Sequence, residues 1–341
     1  MPRRNVLFAA MLTLICATGV ACGSSTPAAT TDAGGNISIT YSPPVAGALP
    51  FLPVEVALKN GYFTDQGVAV TTKMTSAGAL PAALSSNEIN MSADVVYNSA
   101  RYAESGVGVK YVAGLNNNVD FQLLAAKGVS LPAPGSGPDG WKATFAALKG
   151  KQIGVAAKAG PIGLTVAALL KMAGVDAGQY TLVDTPGPVA LNALSAHQVD
   201  AVVSGGGFGT AITEAGSATQ VLDFSKGISS IFGNQVNAAL FVTDATLEQN
   251  PKLAAKVQAA IDKADAFIKD PANQSAVVTI ATSTGTVKTN GLASNLSSYD
   301  YSASLRISGV QAALDWAQQA GITKQKLDAK SLITDGATTS K

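Results

Sequence analysis

Short apolar segments along the chain switch between two spacings, one residue in two and about one in 3.6. The first spacing is typical of strands and the second of helices. In the first third of the chain, strands are predicted at 36–41, 68–73 and 90–96, with helices at 50–59 and 80–86. Further on, strands are predicted at 151–156, 180–183 and 200–204, with helices at 161–173 and 189–196. This alternation predicts mostly parallel sheets flanked by helices.

The order strand, helix, strand starts twice, which predicts two lobes. Ala83-Leu84-Ser85 and Ala193-Leu194-Ser195 each lead through a turn into an apolar strand. Apolar runs at 111–115 and 235–242 would connect the lobes, and helices at 252–269 and 309–320 would complete the first lobe. The predicted boundaries are 36–116 for the first part of lobe 1, 117–235 for lobe 2 and 236–341 for the rest of lobe 1. Two crossings between the lobes predict a hinge.

The N-terminal segment predicts export. Arg3 and Arg4 precede an apolar stretch at 6–20, which is shorter than the about 20 residues needed to span a bilayer. Cys22, preceded by Ala21, resembles the processing site of a bacterial lipoprotein, although Gly19 stands where such sites usually have leucine. The sequence therefore predicts a signal peptide at 1–21, lipidation of Cys22 and a flexible tether at 22–35. Such a chain would be anchored to the outer face of the bacterial cell membrane.

Composition narrows the class of protein further. Hydrophobic residues make up 47% of the chain and charged residues 13%, which is enough apolar surface for well-filled cores. The formal net charge is +1 and no basic run occurs, so no nucleic-acid partner is predicted. Both cysteines, Cys16 and Cys22, belong to the leader region, His197 is the only histidine, and no Gly-x-Ser-x-Gly motif occurs. We therefore predict neither an enzyme nor a bound metal or cofactor.

Small polar loops follow several predicted strands, at the edge where α/β sheets bind ligands. Free backbone N–H groups at the helix starts beyond such loops can hold the oxygen atoms of an anion. The candidate ligand-binding residues are Phe51, Thr75, Ser76, Gly78, Ala79, Tyr97, Asn98, Ser99, Asn118, Phe121, Gly160, Ile162, Gly163, Ser204, Gly205, Phe208 and Asn234.

Two alternatives stay open for these candidates. Each loop could be a plain turn, and each aromatic residue could belong to the core. The polar residues at the two crossings could cap the hinge strands rather than bind a ligand; they are Asn116, Asn117, Asn118, Asp120, Asn234, Gln235 and Asn237. The run Gly205-Gly206-Gly207 lacks the spacing of a dinucleotide-binding fingerprint.

Several motifs together resemble the binding proteins of nitrate, sulfonate, taurine and thiamine-precursor importers. In the first lobe they are Ala57-Leu58-Lys59-Asn60-Gly61-Tyr62-Phe63, Gln66-Gly67-Val68 and Ala82-Ala83-Leu84 with Asn90 and Asp94. In the second lobe they are Leu148-Lys149-Gly150-Lys151-Gln152-Ile153-Gly154-Val155, Leu170-Lys171-Met172-Ala173-Gly174-Val175 and Ala193-Leu194 with Val199-Asp200-Ala201. The resemblance implies a type II periplasmic-binding-protein fold, in which two lobes close over a solute. Where many relatives have an acidic residue and proline, this chain has Ser204 to Phe208.

The resemblance also implies a function. We expect a monomeric solute-binding component of an ABC importer, which passes a small molecule to a permease and its ATPase. The expected solute is a small anion of the sulfonate, taurine or nitrate type. A neutral, pyrimidine-like thiamine precursor is the alternative solute, and a lipid-anchored sensor without a transport partner is the alternative role.

Overall fold

The computed structural model describes the backbone of residues 30–31 and all of residues 35–337. The predicted leader, Cys22 and most of the predicted tether lie outside these residues. Two β-sheets flanked by helices dominate the fold, one in each lobe. The predicted α/β architecture with two sheets flanked by helices is confirmed.

The first sheet has six strands in the order β1-β2-β4-β11-β5, with β3 also paired to β2. Its strands are β1 (Thr30–Thr31), β2 (Ile37–Ser42), β3 (Val68–Thr72), β4 (Met91–Val95), β5 (Val109–Asn116) and β11 (Ala238–Thr243). β2 runs parallel to β3 and β4, whereas β11 runs antiparallel to both of its neighbours. The late strand β11 thus lies between two strands from the first third of the chain.

The second sheet has five strands in the order β10-β6-β9-β7-β8. They are β6 (Gln122–Ala126), β7 (Gln152–Val155), β8 (Thr181–Asp184), β9 (Ala201–Ser204) and β10 (Ala218–Asp223). β7, β8 and β9 are parallel, and β6 is antiparallel to β9 and β10. Each sheet is therefore mixed, with both parallel and antiparallel strand pairs. The boundaries of the lobes stay a prediction.

Helices connect the strands in both lobes. Before the first crossing, a 3-10 turn at Leu49–Phe51 precedes α1 (Leu52–Lys59), α2 (Tyr62–Asp65), α3 (Leu80–Ser85) and α4 (Val96–Glu104). Lobe 2 contains α5 (Trp141–Ala146), α6 (Pro161–Met172), α7 (Val189–Ser195), α8 (Phe208–Glu214), α9 (Phe224–Gly227) and α10 (Ser229–Phe232). The last part of the chain contains α11 (Asp244–Gln249), α12 (Leu253–Lys269), a 3-10 turn at Pro271–Asn273, α13 (Gln274–Ser283), α14 (Leu292–Leu296), α15 (Ile307–Gln319) and α16 (Ala329–Leu332).

The repeated Ala-Leu-Ser motif ends a helix in the same way in both lobes. Asn87 follows α3 with φ +59°, and His197 follows α7 with φ +53°. These are the two non-glycine residues with positive φ among those that the structure describes. A left-handed residue just after a helix lets the chain turn back and satisfies the last carbonyl groups. His197 is therefore a helix-ending residue, and its role is structural.

A continuous apolar core joins the two lobes at the hinge. The largest buried cluster contains Tyr97 and Phe241 of lobe 1 as well as Phe145 and Phe224 of lobe 2. Phe232 in α10 packs edge-on against Trp316 in α15, with ring centroids 5.2 Å apart. Separate clusters fill the other faces of the two sheets. Packing of this kind stabilises the lobes as one unit around the crossings.

The strand predicted at 235–242 begins later than expected. It starts at Ala238, because residues 235–237 form the crossing that leads from lobe 2 into the first sheet. Val96, expected at the end of a strand, is the first residue of α4.

Candidate functional site

The two crossings between the lobes lie side by side beneath the cleft. The first crossing connects β5 to β6, and the second leads from α10 to β11. Asn237 N–H donates to the carbonyl oxygen of Asn116 at 3.0 Å, and Val96 N–H donates to the carbonyl oxygen of Asn237 at 2.8 Å. The start of α4 is thus hydrogen-bonded to the second crossing, so the cleft floor consists of both crossings and this helix start.

The lobes are in contact across the cleft. Leu49 N–H of lobe 1 donates to the carbonyl oxygen of Gly206 in lobe 2 at 3.2 Å. The Glu214 carboxylate at the end of α8 accepts hydrogen bonds from Asn290 N–H at 2.9 Å and Gly291 N–H at 2.7 Å. Because these bonds join one lobe to the other, the structure shows a closed arrangement.

The glycine run after β9 permits this close approach. A Cβ on Gly205 would lie 2.7 Å from the Phe121 ring, and one on Gly207 would lie 2.6 Å from the Leu49 side chain. Gly207 also has φ +86°, which a side chain rarely adopts. The small residues in this loop are therefore needed where the lobes and the hinge pack together.

Asp120 on the first crossing accepts a hydrogen bond from a main-chain N–H group of this loop. Its Oδ2 accepts hydrogen bonds from Gly206 N–H at 2.5 Å and from the Tyr299 hydroxyl at 2.6 Å. Burial raises the pKa of Asp120, whereas these hydrogen bonds lower it. A donor of the type expected to hold a solute oxyanion is therefore already paired with a carboxylate of the chain itself.

A cavity of about 100 Å³ lies beside Asp120 between the lobes. Polar residues of both lobes and of the first crossing dominate its lining, which consists of Asn118, Val119, Asp120, Gln122, Gly207, Gly209, Thr210, Asp223, Ser225, Lys226, Asn295, Ser298 and Tyr299. Lys226 is largely exposed and forms an ion pair with Asp223 at 3.5 Å. Asp120 adds a second carboxylate, so the lining carries more acidic than basic groups.

Two buried hydroxyl groups face each other across the lobes. Tyr97 in α4 lies beside Thr165 in α6, and both residues are fully buried. Within residues 35–337, neither hydroxyl oxygen has a hydrogen bond of good geometry. Burial raises the pKa of Tyr97 far above its ordinary value, so the phenol is neutral. Such groups normally pair when buried, which makes this junction a candidate contact for a polar solute.

Side-chain amides on the crossings are also unpaired. Asn116, Gln235 and Asn237 are fully buried, and the structure pairs the side-chain oxygen of none of them within the part of the chain that it describes. The Asn237 side-chain nitrogen is unpaired there as well. An unsatisfied buried polar group costs about 1–3 kcal/mol, so several of them at one hinge indicate a site built for a polar partner.

The structure brings part of the predicted site to this junction. Tyr97, Phe121 and the loop residues Ser204, Gly205 and Phe208 lie where the lobes meet the hinge. Gly160, Ile162 and Gly163 stand at the start of α6, whose Thr165 faces Tyr97. A Cβ on Gly163 would lie 2.3 Å from the carbonyl oxygen of Lys158, so this glycine is needed for the turn itself.

Other predicted residues make contacts within the protein. Asn118 bonds to the backbone of Ser298 and Asp300, and Asn234 accepts a hydrogen bond from Arg306. The Ser99 hydroxyl lies 2.8 Å from that of Tyr111, and the Asn98 amide donates to Asp94. Phe51 is buried in the core of lobe 1. Thr75, Ser76, Gly78 and Ala79 follow β3, and three of them line a separate open groove with Lys73 and Glu88.

Thr165, Asn116, Gln235 and Asn237 are not among the site residues that the sequence predicts. The last three belong to the polar residues at the crossings, which could instead cap the hinge strands. Thr165 carries one signal, since it is the only polar side chain in α6 before Lys171. A lone polar residue on a buried helix face calls for a partner.

Comparison with known proteins identifies the family. Residues 49–274 match the family model described as NMT1/THI5 like. The match covers more than half of the chain, and the chain belongs to this family. No curated protein sequence matches the chain.

Solved structures share the fold at low sequence identity. The periplasmic aliphatic sulphonate-binding protein SsuA from Escherichia coli has a TM-score of 0.69 at 15% identity, covering 87% of this chain and 97% of its own. The periplasmic nitrate-binding protein NrtA from Synechocystis PCC 6803 has a TM-score of 0.55 at 15% identity, covering 72% and 65%. The desulfurization enzyme DSZB has a TM-score of 0.58 at 14% identity, covering 88% and 97%. Most of these neighbours are binding proteins, and the fold also occurs in an enzyme.

Neither a metal centre nor a membrane span is found in the described part of the chain. Its His, Cys, Asp and Glu residues form no group of three or more suited to a metal ion. None of its helices is long and apolar enough to cross a membrane.

Proposed function

We propose that this protein is the extracytoplasmic solute-binding component of an ABC importer. Family membership and the two-lobed fold support this role. The observation that carries it is the set of buried, unpaired polar side chains where both crossings meet the lobes. A solute bound there would contact both lobes and pair groups that the closed protein leaves without partners.

Hinge closure is the proposed mechanism of capture. The lobes are joined by two crossings, and in the closed arrangement they are held together by direct hydrogen bonds such as those of Glu214 and Leu49. A solute that contacts both lobes binds the closed arrangement better than an open one, and that difference shifts the equilibrium toward closure. The permease and its ATPase would recognise the closed protein.

The solute is a small polar molecule. The sequence favours an anion of the sulfonate, taurine or nitrate type, with a neutral pyrimidine-like compound as the alternative. Asp120 already accepts the Gly206 N–H, and buried acceptor oxygens outnumber donors at the hinge. These two observations support the uncharged alternative over an oxyanion.

A thermal-shift panel tests the proposed function. We expect at least one small solute among sulfonates, nitrate, bicarbonate, pyrimidines and amino acids to raise the melting temperature, because a ligand of the folded state stabilises it by mass action. Uptake of the same labelled solute by cells with and without the gene then separates an importer component from a sensor. A panel without any stabilising solute would contradict the proposed function.

We propose that the protein is attached to the outer face of the cell membrane through lipidated Cys22. The leader pattern before Cys22 supports this attachment. Cys22→Ser should move the protein from the membrane fraction to the soluble fraction, whereas Cys16→Ser should leave it membrane-bound. An unchanged membrane fraction for Cys22→Ser would argue against the anchor.

We propose that the protein performs no chemistry on its solute. His197 ends a helix, and the sequence has no cysteine beyond Cys22, so neither a histidine base nor a cysteine nucleophile lines the described cavity. The solute recovered from the protein after prolonged incubation should be unchanged by mass spectrometry. Recovery of a converted product would favour an enzymatic role like that of the structurally similar desulfurization enzyme.

A further inference from the structure

We infer that the solute of this cleft is a nitrogenous compound that presents several N–H donors, such as an amine, an amidine or an amino-substituted ring. The inference rests on the proposed function, since it assigns a solute class to the same site. It follows from which ends of the buried side chains remain unpaired at the hinge.

The orientation of the buried amides is fixed by their own hydrogen bonds. The Asn116 NH₂ group donates to the carbonyl oxygen of Asn118 at 2.6 Å, and the Gln235 NH₂ group donates to that of Ile231 at 3.1 Å. A carbonyl oxygen can only accept, so neither amide can be turned around without losing this bond. The unpaired end is therefore the side-chain oxygen in both residues.

The two crossings bring the residues that carry these amides close together through the backbone. Asn237 is bonded through its backbone to both Asn116 and Val96, and it follows Gln235 by two residues along the same crossing. Asn116 is paired with Ala238 in the sheet. Tyr97 stands one residue after Val96 in α4, and its hydroxyl reaches toward Thr165 on the other lobe. The backbones of these residues thus meet where the two crossings join the start of α4.

Charge at the adjoining cavity favours the same class of solute. The Asp120 Oδ1 atom is buried and has no partner within residues 35–337, as is also true of Gln122 Oε1. Among the residues of the described chain that line the cavity, Lys226 is the only cation, and Asp223 pairs with it. An oxyanion entering here would meet the unpaired oxygens of Asp120 and Gln122, so its desolvation would go uncompensated.

The N–H groups of a solute would instead find acceptors that compensate for their desolvation. Each N–H that reaches an unpaired buried oxygen replaces an unsatisfied group with a hydrogen bond, and a cationic N–H that reaches Asp120 forms a stronger, charge-assisted bond. Tyr97 and Thr165 can act as donor or acceptor, so they fit either partner. Asn237 has both ends of its amide unpaired and also fits either partner, so the discrimination comes mainly from the oxygens of Asn116, Gln235, Gln122 and Asp120.

Matched pairs of ions of similar shape test the inference on the full chain. The pairs are guanidinium with nitrate and acetamidinium with acetate, supplemented by urea, 4-aminopyrimidine, methylammonium and methanesulfonate. Melting temperature and isothermal titration calorimetry report binding. We expect the N–H-donating cation of each pair to bind at least about tenfold more tightly than its anionic partner, because a paired buried group is worth about 1.4 kcal/mol or more.

The outcomes separate this inference from the proposed function. Tighter binding of the compounds with N–H donors than of the anions supports the inference. Tighter or equal binding of nitrate, acetate or methanesulfonate overturns the inference and leaves the solute-binding function standing. Absence of any stabilising compound in this panel and in the wider one contradicts both.

Variants assign the binding to the hinge. Asn237→Leu and Asp120→Asn should each weaken binding of the best nitrogenous probe by about tenfold, and Asp120→Asn should weaken cationic probes more than urea. Asn273→Leu, whose amide bonds to the carbonyl oxygen of Phe267 away from the cleft, serves as the matched control. Circular dichroism checks folding, and Thr165→Val gives a second test if Asn237→Leu does not fold. Unchanged affinity in folded Asp120→Asn and Thr165→Val would overturn the assignment.

Discussion

The contact between Glu214 and the backbone of Asn290 and Gly291 should control closure of the lobes. Its two hydrogen bonds, of 2.9 and 2.7 Å, join α8 of lobe 2 to lobe 1 and can exist only while the lobes are closed. Hydrogen bonds to a charged acceptor contribute about 1.5–3 kcal/mol each, but Glu214 is exposed, so we take about 1 kcal/mol for each bond. Glu214→Ala should then disfavour the closed arrangement by about 2 kcal/mol.

A loss of about 2 kcal/mol corresponds to an about 30-fold lower ratio of closed to open protein. If the unliganded protein is mostly open, the Kd for a cleft solute should rise by a similar factor. Small-angle X-ray scattering with bound solute should show a larger radius of gyration in Glu214→Ala at subsaturating concentration. Hydrogen exchange at the amides of Asn290 and Gly291 should also become faster.

Glu104 provides a matched control within one lobe. Its carboxylate accepts hydrogen bonds from Lys324 N–H at 2.5 Å and Gln325 N–H at 2.6 Å, and all three residues belong to lobe 1. Glu104→Ala should lower the melting temperature without changing the radius of gyration or the Kd. Equal Kd values and equal exchange rates for Glu214→Ala and the unmodified protein would refute the reasoning about closure.

Three further changes test the packing and the buried charge. Gly207→Ala should weaken solute binding more than Gly216→Ala in calorimetry, because both glycines have positive φ but only a Cβ at 207 would meet Leu49 of the other lobe; equal effects would contradict the packing argument. Burial raises the pKa of Asp265 from 3.8 to about 7, so the folded protein holds an extra proton and its stability falls as pH rises from about 4 to about 7. Asp265→Asn should remove that fall in denaturant titrations, gaining up to about 4 kcal/mol above pH 7, and an unchanged pH dependence would contradict it. His197→Gly should raise stability by about 1 kcal/mol, because glycine adopts φ +53° without strain, and a lower melting temperature would contradict this.

Local patterns in the sequence predicted most of the fold. The alternation at 68–73 and the spacing at 252–269 correspond to β3 (Val68–Thr72) and α12 (Leu253–Lys269). The Asp270-Pro271 pair ends α12 as proline rules require, since a residue before proline disfavours the helical conformation. These features depend on neighbours in the chain, which is why the sequence reveals them.

Tertiary pairing limited the prediction of the site. The loop after β9 carries main-chain donors, but the sequence does not show that Asp120, 86 residues earlier, accepts one of them. Similarly, the sequence predicts that Tyr97 follows the end of a strand. It does not show that the neighbouring Thr165 comes from a helix of the other lobe. Which polar groups remain free for a solute depends on such long-range partners.

The position of β11 between β4 and β5 also bears on the order in which the two lobes can form. A chain that emerges from its N-terminus has both flanking strands available long before residues 238–243 can fill the gap between them. The first lobe must therefore wait for more than half of the polypeptide, whereas the second lobe is built from one contiguous stretch and can form earlier. A chain that ends before residue 238 would therefore contain every strand of the second sheet but lack a central strand of the first.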